Sequence, residues 1–234
     1  MSSPESNPPQ LPFRAEDFKH LGEADEASRV YEYKPNPETV MRLSSSFAHN
    51  LPEDDEKAFE LMNSLSQDEK KMIVFNNIKE AKELFSEIED SYGIKTAGFS
   101  PAVVEDDLYG RGELVVSKKI NGKTIGETDN LSPDEKVAGR ELLYKLTSYI
   151  TEKSKSGEPF LSDISPLRQY VLQEDSNEFV LVDMDPFVDA CTPERLHSFA
   201  FQLEEWAVRV LEDNEYSVWR DHLYKQLPQL VLHS

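Results

Sequence analysis

Asp163 and Asp183 are the two side chains of this sequence whose types and setting point most directly to chemistry. Asp163 stands in Phe160-Leu-Ser-Asp-Ile-Ser-Pro-Leu-Arg-Gln169, a segment that reads as a loop, and Asp183 closes the apolar run 179–182. Between them, the β-rich run 170–172 and the run 179–182 flank the turn-forming Glu174-Asp175-Ser176-Asn177, the pattern of a β-hairpin. Carboxylates held by rigid strands suit the hard-oxygen coordination of a divalent cation and the phosphates it carries. Asp183 and Asp185 together could form a bare cation site if the strand ends between them, as Pro186 implies. A carboxylate pair also serves glycosidases, but nothing else here supplies a sugar-binding framework.

The elements that would position these groups can be read from spacing. Residues 18–33 and 38–43 read as two strands separated by a turn at Pro35-Asn36-Pro37. Residues 53–65 and 76–92 carry helical spacing, with Gly93 as the stop of the second. Residues 102–105 and 113–120 read as strands, and Asn121-Gly122-Lys123 as a turn. Ser132-Pro133-Asp134-Glu135 has the form of a capping box with proline at the first helical position. Val137, Ala138, Leu142, Leu146, Tyr149 and Ile150 then make one apolar face, with 153–159 as the loop toward Asp163. Thr192-Pro193-Glu194 starts a helix whose stripe runs from Leu196 to Leu211, and a last helix over 215–227 carries Val218, Trp219, Leu223 and Leu227.

Composition limits the function classes. The 234 residues are 38% apolar, enough for a substantial core, and the formal net charge is -20. So acidic a chain repels nucleic acid phosphates and anionic lipid headgroups, so neither nucleic acid nor membrane is an expected partner. Cys191 is the single cysteine, which rules out an intrachain disulfide and a cysteine-based zinc site. None of the five histidines shares a metal-ligand spacing with another histidine or the cysteine. Neither a G-x-S-x-G elbow nor a Walker A motif occurs. With no signal-peptide pattern and no run near the roughly 20 apolar residues of a membrane span, a cytoplasmic location is expected. Residues 1–12, with prolines at positions 4, 8, 9 and 12 and no apolar period, read as a disordered arm.

The order of these segments resembles that of protein-kinase-like phosphotransferases, particularly the bacterial aminoglycoside-phosphotransferase-like group. The resemblance implies an α+β, bilobal fold: a small antiparallel-sheet lobe over residues 13–117, then a hinge and a reduced helical lobe over 118–234. It implies ATP and Mg²⁺ as cofactors, with phosphoryl transfer to a hydroxyl on an unidentified, small-molecule acceptor. Asp163 matches the catalytic base and Asp183 the metal-bridging Asp. Arg168 stands at the spacing of the family's metal-binding Asn, and Gln169, one residue later, offers the same amide oxygen at longer reach. Leu161 stands where the family commonly has His.

Gly22, Ser28 and Val30 fall where the glycine-rich phosphate loop would run, although only one glycine is present; an ordinary hairpin explains the same residues. Arg42 takes the place of the phosphate-pairing Lys, with a bulkier, forked cation. It also reads as an exposed strand arginine. Among Glu80, Glu83 and Glu87, Glu83 lies mid-helix and is taken as the partner that orients it, the alternative being a solvated helix face. Backbone groups of Ser117, Lys118 and Lys119 would meet the adenine edge. Because the glycine loop, Lys, His and Asn are all altered, the alternative function is a catalytically impaired, pseudokinase-like binding or scaffold protein with a protein partner.

Overall fold

The computed structural model describes residues 18–20, 30–43, 64, 67–98, 100–103, 113–125, 130–183 and 188–227. The fold is α+β. The chain divides into two compact units: residues 1–82, 98–119 and 184–186 form the first, and residues 83–97, 120–183 and 187–234 the second. The division thus puts 83–97 with the second unit. Among the described residues, no helix is long and apolar enough to cross a membrane.

The first unit is built on five strands: β1 (Phe18–His20), β2 (Val30–Tyr33), β3 (Asn36–Leu43), β5 (Ser100–Val103) and β6 (Glu113–Lys118). They form one antiparallel sheet in the order β1-β2-β3-β6-β5. Spacing predicts one strand over 18–33; instead β1 and β2 are separate and pair with each other, Phe18 opposite Tyr33. The β2–β3 turn is Lys34-Pro35, one position earlier than the prolines imply. Pro35 has the fixed φ of a turn position, while Asn36 already pairs with Tyr33.

Between β3 and β5 runs the helix α1 (Gln67–Tyr92), which starts well before the predicted residue 76 and is followed by Gly93 at φ 63°. The predicted helix 53–65 and the strand end 104–105 lie outside the described residues, apart from Ser64.

The second unit holds β4 (Lys95–Thr96), β7 (Gly122–Thr124), β9 (Tyr170–Gln173) and β10 (Phe179–Leu181) in the order β4-β10-β9-β7. Its β4–β10 pairing is parallel and the rest antiparallel. The β9–β10 hairpin has the predicted form, with Phe179 opposite Leu172 and Leu181 opposite Tyr170. Asn177 turns the chain at φ 52°. Asn121-Gly122-Lys123 is not the predicted turn: Gly122 and Lys123 lie on β7, opposite Gln173 and Leu172. The glycine serves close approach, since a Cβ at 122 would sit 2.2 Å from the carbonyl oxygen of Leu172.

Three helices complete this unit: α2 (Pro133–Ser156), α3 (Pro193–Val210) and α4 (Asp213–Gln226). The Ser132 capping box forms as expected, with Glu135 N–H donating to Ser132 Oγ and Ser132 N–H to the Glu135 carboxylate. α2 runs one turn past the predicted start of the loop at 153. Lys153 is buried there, its Nζ 2.8 Å from Glu87 and 3.4 Å from Glu158. Leu142, Leu146, Tyr149 and Ile150 of α2 are buried, as are Phe199, Leu203, Trp206 and Ala207 of α3. The helices approach closely at Gly139, where a Cβ would lie 2.8 Å from Val210. Val137 and Val218, predicted on apolar faces, are instead exposed. Each lies at the border of its stripe, and other residues of the same helix fill the core.

α4 is fastened to α3 by a single carboxylate. Glu204 accepts hydrogen bonds from Tyr216 (2.9 Å), Arg220 Nε (3.1 Å) and Tyr224, and the Arg220 guanidinium lies 5.1 Å from the Tyr224 ring centre. Burial alone would raise the Glu204 pKa, but the donors of Tyr224, Tyr216 and Arg220 outweigh it and hold the carboxyl below its ordinary value of 4.5. A carboxyl depressed in the folded state stabilises the fold above the unfolded pKa. That contribution disappears as pH falls through the folded value. Between pH 5 and the acid limit, wild type is therefore expected to lose more thermal stability than Glu204→Gln, measured by circular dichroism melts. Parallel loss in the two proteins would contradict this role.

Candidate functional site

The Asp163 loop is held at almost every residue by a buried polar group. It begins at β8 (Phe160–Leu161), which pairs antiparallel with β11 (Val188–Asp189). Leu161 N–H donates to the hydroxyl of Tyr149 on α2 at 2.7 Å. Ser162 Oγ donates to Asp189, whose other oxygen is 3.3 Å from Arg195 Nε. The carbonyl of Ile164 accepts from the Tyr170 hydroxyl at 2.6 Å, and that of Ser165 from the Trp206 indole at 2.8 Å. The Ser165 hydroxyl donates to the Gln202 side chain and lies 3.2 Å from the Ser162 carbonyl.

Burial drives the phenol pKa values of Tyr149 and Tyr170 far upward, so both remain protonated. Asp163, half-buried, lies between neighbours that are all anchored.

Gln169 joins this loop to the segment of Asp183. It ends the one-turn 3₁₀ helix Leu167–Gln169, is 3% exposed, and donates from Nε2 to Asp163 Oδ2 at 3.0 Å. Its backbone carbonyl accepts from the amides of Val182 (2.9 Å) and Asp183 (3.4 Å), just past the end of β10. One residue thus touches the Asp163 side chain with its amide and the Asp183 backbone with its carbonyl. Arg168, the residue at the family's Asn spacing, is exposed and contributes neither contact.

Asp163, Gln169 and Asp183 offer carboxylate and amide oxygens, the donor set that Mg²⁺ takes. Among the described residues no three His, Cys, Asp or Glu side chains are grouped to hold a metal. A metal here would accordingly draw on Gln169. Asp185, the other half of the paired-carboxylate reading, lies outside the described residues.

The nucleotide-side residues belong to the first unit, apart from Glu83. Gly22 and Ser28 lie outside the described residues. Val30 begins β2 and is opposite Arg42 on β3, which is itself opposite Val115 of β6. Glu83 is exposed on α1, and it is Glu87, one turn on, that pairs with a buried cation, Lys153.

β6 is not an edge strand: over Leu114–Val116 it is flanked by β3 and β5. Ser117 and Lys118 extend past the last β5 pairing, Ser100 with Val116. Lys119 N–H donates to the Glu38 carbonyl at 2.7 Å, on the β3 side. Alternation along an extended strand therefore directs the Lys118 N–H and carbonyl to the opposite side, that of β5. The Lys119 ammonium is 2.8 Å from Glu32; that hydrogen bond raises the pKa of the lysine and lowers that of the glutamate.

Anchoring roles for Tyr149, Tyr170, Trp206, Gln202 and Asp189 are absent from the sequence reading. Tyr149 and Trp206 register there only as apolar-face residues. A buried tyrosine or tryptophan must satisfy its O–H or N–H, and that requirement is the signal available for them. No protein-family model matches the chain, and no curated protein matches it.

Proposed function

We propose that the chain has a bilobal, protein-kinase-like fold and carries out ATP- and Mg²⁺-dependent phosphoryl transfer to the hydroxyl of a small acceptor. The observation that carries this reading is the Gln169 bridge between Asp163 and the Asp183 segment. Support also comes from the order of parts: a β1–β2 pair, the Arg42 strand, a long helix, the β6 strand, then the anchored Asp163 loop, a hairpin and Asp183.

Asp163 accepts the proton of the acceptor hydroxyl as its oxygen bonds to the γ-phosphorus and the bond to the ADP oxygen breaks. Asp183 and the Gln169 amide oxygen would hold Mg²⁺, which when bound neutralises charge on the phosphates. Arg42 would pair with the phosphates, and backbone groups of Ser117, Lys118 and Lys119 would meet the adenine edge. Gly22, Ser28 and Val30 stand, in sequence, where the kinase resemblance puts the phosphate loop.

A second reading is a pseudokinase-like binding protein. It is favoured by the Gln169–Asp163 bond itself, which occupies a lone pair on the would-be base, and by Leu161, buried where the family commonly has His. The test is ADP release by purified protein with ATP and Mg²⁺ across a panel of amino alcohols, sugars and aminoglycosides. Acceptor-dependent ADP release supports transfer. Nucleotide binding without release leaves the binding protein, and absence of both release and binding contradicts the nucleotide site.

A further inference from the structure

We draw no further inference here: the strongest candidate, the surface patch of exposed Val137 and Tyr144 on α2 and Val218 on α4, two helices joined by the Arg140–Glu215 ion pair, carries none because nothing in the structure shows what covers it.

Discussion

Asp163→Asn is expected to reduce acceptor-dependent ADP release by ~10²–10⁴-fold, the range supplied by a positioned general base, while the circular dichroism melt stays close to that of wild type. The fold should survive because the loop is also held through the neighbours of Asp163: Tyr149 at Leu161, Asp189 at Ser162, Tyr170 at Ile164 and Trp206 at Ser165. An amide at position 163 can still accept from Gln169 through its oxygen, which preserves the local geometry while removing the basic group. Turnover undiminished by the substitution would remove Asp163 from the chemistry. A melt lowered as much as turnover would make its role structural.

Trp206→Ala is expected to cost about 3–5 kcal/mol of folding stability, the usual loss for truncating a fully buried tryptophan. The indole is 1% exposed and meets Tyr170 and Phe179 edge-on, with ring centres 5.8 and 5.4 Å away. Such aromatic pairs contribute beyond the area they bury. Truncation also strips the Ser165 carbonyl of its indole donor inside the core. Trp206→Phe separates the two effects, since it retains ring contacts but not the N–H donor. Its loss should fall between those of wild type and Trp206→Ala in urea denaturation followed by circular dichroism. Equal stability of all three proteins would contradict the assigned anchoring role.

Local signals carried far in this sequence where one interaction dominates. The Ser132 capping box, the Thr192-Pro193 helix start and the hairpin around Asn177 are each specified within a few residues, and each forms as spacing predicts. The Asp163-to-Asp183 interval was legible for the same reason. Failures came where tertiary pairing overrides local preference. Asn121-Gly122-Lys123 has turn chemistry, yet Gly122 is there because the backbone of Leu172 passes too close for a Cβ. Lys153 looks like a loop residue until Glu87, distant in sequence, provides a partner for a buried ammonium. Only the family resemblance makes Gln169 a metal ligand. Its bridging of two distant segments depends on the 3₁₀ turn and the β9–β10 register, which no local pattern encodes.

Calorimetric titration of the purified chain with ATP, with and without Mg²⁺ and with Asp183→Asn as the control, tests the central claim most directly. Saturable binding that requires Mg²⁺ and is lost in Asp183→Asn is the predicted result. No binding at any accessible concentration, or binding indifferent to both Mg²⁺ and the Asp183 substitution, would contradict the kinase-like site.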